Sequence, residues 1–302
     1  MKAIVVHQYG GPEVLKFEEY PDPVAGPGEV LVRVAASSVN PKDYKRRAGK
    51  TQDFDPIKFP GLIGMDVAGM VLALGSGVEN FHRGDGVLAM AANTYAELCV
   101  VKATNLARLP TGLDLIEAAA LPLVTTAGNE LISQGAEVKT GQTVLVAGAA
   151  GGVGRSAVFT AKHRGANVIA GVLKIQVGEA ASIGADQAVA TDDESVVDSL
   201  PLLDAVADAV GGRTAEKLIA KVKPGGVFAS VLGAPRNAEE YPLVKVVSVV
   251  SAPDAKVLQF MAEAVRDGKL RIPIGRRFPL SDAAEAQTAA EKGASGKILL
   301  VV

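Results

Sequence analysis

The chain has 302 residues, 48% of them hydrophobic, and its 31 basic and 33 acidic side chains leave a formal net charge of -2. The near-neutral balance without charge blocks argues against a nucleic-acid surface, the 4% aromatic content against base stacking, and the lack of a long apolar run against a membrane span. The length calls for two cores, the single Cys99 excludes an internal disulfide or a thiolate cluster, and the opening MKAIVVHQYGG has no signal-peptide pattern, so the expected location is cytoplasmic.

Up to about residue 122 the apolar runs are short and broken by Gly and Pro. They fall at 3–6, 30–36, 67–74, 86–90 and 95–101, the pattern of a barrel-like β domain. From 123 to 252 strands and helices alternate. Candidate strands at 143–147, 167–170, 187–190, 203–208, 227–232 and 244–250 predict βαβ units and a doubly wound parallel sheet. After Pro253 a helix over 254–267 stops at Gly268, and a last apolar strand at 297–302 is placed to return to the first domain. The expected fold is α/β, with a β-rich domain from 1–122 and 253–302 and a dinucleotide-binding domain from 123–252.

The most informative stretch is TVLVAGAAGGVG at 143–154. A buried strand leads into Gly148, Ala149, Ala150, Gly151, Gly152, Val153 and Gly154, and a helical run follows with Val153, Ala157 and Ala161 on one face. Strand, glycine-rich turn and helix is the context that seats a pyrophosphate on a helix N-terminus. Gly151 would admit the phosphates to the backbone, and Gly154 would let the helix pack on the sheet. Ala149 stands where the six-residue fingerprint has its first glycine. The next strand, Val168 to Lys174, ends without the acid that binds a ribose 2′-hydroxyl; the next acid is Glu179. Lys174 offers a charge for a 2′-phosphate, which points to NADPH. The alternative is that Lys174 is an ordinary solvated lysine.

These residues belong to a wider pattern. GPEVLKFEEYPDP at 11–23, GEVLVRVAASSVNPKDYKRRAG at 28–49 and PGLIGMDVAG at 60–69 are followed by GDGV at 84–87 and AALPLVTTAGNEL at 119–131. SIGAD at 182–186, DAVGG at 208–212 and SGKILLVV at 295–302 complete the series. In this order they resemble the medium-chain dehydrogenase/reductase superfamily, in its zinc-free quinone oxidoreductase branch, and within it the alkenal/enone oxidoreductases. The resemblance covers nearly the whole chain. It implies a GroES-like substrate domain, a Rossmann cofactor domain and a cleft between them. Zinc-dependent relatives carry a cysteine near Asn40-Pro41 and a histidine before the acid of Gly64-Met65-Asp66. Here Met65 holds the histidine's place, and the cysteines of a structural zinc lobe are missing.

The resemblance places Thr126 near the nicotinamide ribose and adds Leu232 to the cofactor contacts. It sets Asn40 and Lys45 towards the nicotinamide and the substrate oxygen, with Lys45 lending charge to an enolate and Tyr44 or solvent giving a proton. The expected reaction is hydride transfer, without metal, to a small quinone or enone; a homodimer is left open. Plainer readings stand beside these. Asn40-Pro41 is a good turn, and Lys42, Lys45, Arg46 and Arg47 form one solvated basic face. Tyr95 is a core aromatic, Cys99 a packed small hydrophobe, Asp66 a buried carboxylate satisfied by backbone, and Asp208 a loop-orienting group. The short crossing from Leu88 to Tyr95 implies an open cleft and broad substrate selection. The rival from another class is a dinucleotide-binding redox sensor or structural protein without turnover.

Overall fold

The computed structural model describes the backbone of residues 1–302 and every side chain except those of Ala180 and Ala181. The chain divides into two compact units. Unit 1 holds Met1–Leu123, Pro253–Asp267 and Pro273–Val302; unit 2 holds Val124–Ala252 and Gly268–Ile272.

Unit 1 begins with β1 (Lys2–Val6), β2 (Leu15–Glu19), β3 (Glu29–Val39), α1 (Pro41–Arg47), β4 (Gly61–Leu62) and β5 (Asp66–Leu74). It continues with β6 (Gly86–Met90), β7 (Leu98–Lys102), β8 (Ala107–Arg108) and α2 (Leu115–Ala118). β3 shows why these segments are strands: Val30, Val32 and Val34 are buried while Arg33 between them is exposed, a period of two. Gly69 of β5 lies so close to β3 that an added Cβ would sit 2.1 Å from Arg33 O. α1 opens where the sequence suggests a turn. Pro41 has no N–H to lose at a first helical position, and the Asp43 carboxylate takes the Asn40 N–H at 2.8 Å.

Helix α3 (Pro122–Glu130) leads into unit 2, which continues through β9 (Thr143–Ala147), α4 (Gly152–His163), β10 (Asn167–Val172) and α5 (Ala180–Ile183). Then come β11 (Gln187–Ala190), α6 (Glu194–Asp198), β12 (Leu203–Asp208), α7 (Gly212–Leu218), β13 (Val222–Ser230) and β14 (Lys245–Ser248). The six strands are all parallel, in the order β11-β10-β9-β12-β13-β14. The order reverses beside β9, the switch point at which doubly wound sheets bind ligands. Separate clusters cover the sheet. One gathers Val144, Val146, Ala157, Val158 and Ala161; the other gathers Leu145, Val206, Leu218 and Phe228.

The tail supplies α8 (Ala255–Arg266), β15 (Ile274–Pro279), α9 (Ala283–Glu291) and β16 (Lys297–Val301). β16 returns to unit 1, as expected, and pairs antiparallel with β3; the sheet runs β15-β16-β3-β5-β6-β8, with β7 also on β3. β2, β15 and α9 were not read from the sequence. The strand expected at 95–101 starts only at Leu98, because the backbone of Tyr95 bonds to Ile4 and Ile63 instead. The strand expected at 227–232 runs Val222–Ser230, and there Ser230 Oγ accepts the Leu232 N–H and turns the chain. None of the described helices is long and apolar enough to cross a membrane.

Candidate functional site

The loop between β9 and α4 is held from beneath. Gly148, at φ +74°, and Ala149 both donate their N–H to Gly171 O, at 2.9 and 3.0 Å, and Gly151 N–H closes back on Gly148 O at 3.0 Å. Arg155 N–H bonds to Gly151 O at 2.9 Å, so the amides of Gly152, Val153 and Gly154 lie in the first turn, ahead of the intrahelical ladder. The glycines divide the work. A Cβ at Gly154 would sit 2.1 Å from Gly148 O, so this residue must be bare for the helix to abut the loop. A Cβ at Gly151 would meet nothing nearer than Gly148 O at 3.4 Å, so its bareness leaves an open face on the loop. Ala150 O accepts the buried Arg155 guanidinium at 3.0 Å, and Val153 packs against the core.

Helix α3 lies directly against this helix start. An added Cβ at Gly152 would meet Val124 at 3.2 Å, and one at Gly128 would meet Ser156 Cβ and Val153 O at 2.5 Å. Close packing brings Thr126 into the same region of unit 2. Thr126 is 1% exposed, and its Oγ1 has no hydrogen-bond partner among the described residues. A buried hydroxyl without a partner costs stability unless a group from outside the chain completes it. On the other side of β9, Asp208 accepts the N–H groups of Val210 and Gly211 at 3.0 Å and the Ser230 hydroxyl at 2.7 Å. It orients loops. Leu232, half exposed, rests against Gly211 beside them. An open glycine loop, a helix start and an orphan hydroxyl fit a dinucleotide.

Lys174 is in a setting that its own strand does not reveal. Its side chain is 74% exposed and pairs with Asp193 at 3.2 Å, and its N–H donates to Asp192 Oδ1 at 2.8 Å. Sequence order put Glu179 as the next acid. The parallel register, which sets Val172 of β10 against Ala190 of β11, brings two nearer carboxylates level with Lys174.

The residues expected around Asn40 form a buried network within unit 1. Asn40 is 1% exposed; its Nδ2 donates to Asp66 Oδ2 at 2.7 Å, and its Oδ1 accepts from Lys297 Nζ at 2.6 Å. Lys297 also donates to Val39 O at 3.1 Å, and Asp66 accepts from Ser38 Oγ at 2.5 Å and from Leu123 N–H at 2.8 Å. Tyr95 OH donates to Asp43 at 3.1 Å. Burial pushes the Asp43 carboxyl up to about 7, against the Asn40 N–H that stabilises its charge. Burial also lowers the Lys297 ammonium, which Asp66 and Asp43 partly restore. Asn40, expected to face the nicotinamide and the substrate oxygen, has its side-chain amide bonded to Asp66 and Lys297 inside unit 1. Lys297 and Asp43, unnoticed in the sequence, complete the network.

Tyr44 is half buried against the cluster of Ile4, Val39 and Ala286, and burial, followed by Glu291, raises its phenol. The basic face of α1 is not uniformly solvated. Lys42 and Arg46 pair with Asp55 at 3.2 Å, and Arg47 pairs with Glu291 at 2.7 Å. Lys45 is exposed and, among the described residues, has no carboxylate partner. Tyr95 is fully buried, and Cys99 is a buried thiol pushed up to about 12 by desolvation.

Residues 26–183 match the alcohol dehydrogenase GroES-like domain, and residues 183–300 match the zinc-binding dehydrogenase family. An NADPH-dependent alkenal/one oxidoreductase of Arabidopsis thaliana is 33% identical over 99% of this chain and 79% of its own. A solved quinone oxidoreductase from Coxiella burnetii superposes with a TM-score of 0.88 at 31% identity, covering 100% of this chain and 99% of its own. A mycobacterial protein solved with NADPH gives 0.86 at 27%, covering 100% of each chain. The β-rich unit and the parallel-sheet unit are therefore GroES-like and Rossmann domains of an oxidoreductase. The chain belongs to the medium-chain dehydrogenase/reductase superfamily. The zinc in one family's name finds no matching donors: among the described residues no group of three or more His, Cys, Asp and Glu is placed to hold a metal.

Proposed function

We propose that this chain is an NADPH-dependent reductase of small quinones or of the activated C=C bond of α,β-unsaturated carbonyls, working without zinc. The observation that carries the reading is the buried, unpartnered Thr126 hydroxyl on a helix packed against the glycine-rich helix start at the sheet's switch point. The names of the Arabidopsis and Coxiella relatives support the substrate class, and the mycobacterial NADPH complex supports the cofactor.

Bound NADPH supplies a hydride. The chain's own residues do the rest. The first-turn amides of α4 and the open face of Gly151 would seat the pyrophosphate, Thr126 Oγ1 would complete its hydrogen bonding on the nicotinamide ribose, Leu232 would flank the cofactor, and Lys174 would answer the 2′-phosphate. Among the described residues no metal ligand set is placed to polarise a carbonyl, and an acceptor that is already electron-poor suits such a site. Hydride addition at the carbon β to a carbonyl would leave an enolate, and Lys45, exposed on α1 and without a carboxylate partner among the described residues, would lend its charge to the oxygen. The α carbon would take its proton from the Tyr44 phenol or from water.

NADPH oxidation measured against a panel of quinones and enones tests the reading. With NADPH deuterated at the transferred position, deuterium should appear at the β carbon of a saturated ketone. An allylic alcohol labelled at the carbinol carbon would refute the mechanism. Tight NADPH binding with no turnover across the panel would favour the sensor instead.

A further inference from the structure

The carboxylates beside Lys174 do more than shield it. We propose that Asp193 is a selectivity gate, holding the Lys174 ammonium in an ion pair that a 2′-phosphate must displace, and so sets how strongly the chain prefers NADPH over NADH. The inference rests on the NADPH reading above.

Both carboxylates reach Lys174 because β11 runs parallel to β10 and ends level with it. Asp193 is anchored at that end. Its Oδ1 accepts the Ser195 N–H at 3.2 Å and the Ser195 hydroxyl at 2.7 Å, capping α6, while Oδ2 takes Lys174 Nζ at 3.2 Å. The hydroxyl bond, followed by Lys174, holds the Asp193 carboxyl below its ordinary range, so it is ionised at neutral pH. Asp192 fixes the lysine's backbone through the N–H bond at 2.8 Å. The cation is thus presented at the end of β10 already paired.

An exposed ion pair is weak, and a phosphate dianion is a stronger acceptor for an ammonium than one carboxylate. Exchange is therefore favourable, but its gain is the difference between two pairings, reduced by repulsion between the phosphate and the released carboxylate. NADH has no 2′-phosphate and leaves the pair intact. Asp193 acts on one cofactor and spares the other, which is what a determinant of selectivity must do.

The test is Asp193→Asn, which keeps a side-chain oxygen for the α6 cap and removes the charge. Dissociation constants for NADPH and NADH are read at low salt from cofactor fluorescence, with a thermal melt to confirm folding. Asp193→Ser, another capping residue, serves if the Asn variant unfolds. NADPH affinity should rise about fivefold, with NADH within about twofold, since an exposed charge pair is the only contact altered. In a Lys174→Ala background the same change should give a smaller gain. An unchanged NADPH-to-NADH ratio overturns the gate. An equal gain without Lys174 also overturns it, because Asp193 would then act by plain repulsion. A wild-type chain that binds NADH but not NADPH removes the NADPH reading, and the gate with it.

Discussion

The Lys297 ammonium lies 2.6 Å from Asn40 Oδ1, a pairing between residues 257 positions apart in the chain, and 3.8 Å from Asp66. All three are buried. Removing the cation leaves the Asp66 charge with only neutral donors, so Lys297→Met should cost about 3 kcal/mol of stability by urea unfolding, in the range for a broken buried pair. Adding Asp66→Asn should recover part of that loss. A single variant as stable as the wild type would show that Lys297 is dispensable to the network.

Asp43 gives a pH signature. The native carboxyl keeps its proton up to about 7, whereas its ordinary value is 3.8. Between those values the native state holds more protons than the unfolded one, so this group's contribution falls as pH rises and is lost above about 7. The groups around it, Asp66, Tyr95 and Lys297, share the network. Asp43→Asn should flatten the stability profile between pH 4 and 7 relative to wild type, by an amount that denaturation midpoints across that window will show. Parallel profiles for the two proteins would contradict the raised value.

The two loop glycines should fail differently. Gly154→Ala drives a Cβ into the Gly148 carbonyl and should destabilise the fold by about 2 kcal/mol, as overpacking does. Gly151→Val meets almost nothing in the chain and should fold normally, yet lose NADPH binding. Equal NADPH affinity in a folded Gly151→Val variant would move the pyrophosphate elsewhere.

Thr126→Val removes a hydroxyl that has no partner among the described residues. Stability should stay level or rise, while NADPH binding weakens by about 1 kcal/mol, the usual worth of one hydrogen bond. Loss of stability at unchanged affinity would reverse the assignment.

Lys45→Ala should lower kcat on an enone by about tenfold or more with little change in NADPH affinity, because enolate charge exists only along the reaction path. Unchanged turnover would return Lys45 to the solvent-facing surface.

The doubly wound unit was legible because buried parallel strands are continuous apolar runs: Thr143–Ala147 and Leu203–Asp208 coincide with the runs in the sequence. β15 was not, because Gly275, Arg276 and Arg277 stand exposed along it and give no apolar signal. α1 was hidden for a different reason. Asn40-Pro41 opens a turn or a helix equally well, and only the Asp43 bond to Asn40 N–H decides. In the site, the glycine loop was readable because its chemistry is local. The Asp192 and Asp193 neighbours of Lys174, and the Lys297 partner of Asn40, were not, because strand pairing brings them together from distant segments.

The return of β16 has a consequence for how the molecule is born. Unit 2 is nearly one uninterrupted stretch, Val124–Ala252, lacking only Gly268–Ile272, so its sheet can form while the ribosome is still at work. The larger sheet of unit 1 must wait, because β16 stands between β15 and β3 and is translated after every other strand. Until Lys297 arrives, Asp66 and Asn40 have no cation, and the edge of β3 that β16 will occupy is bare. The nascent chain therefore carries a nearly complete Rossmann unit while the β-rich one is still open and aggregation-prone, and chaperone demand should fall on residues 1–123.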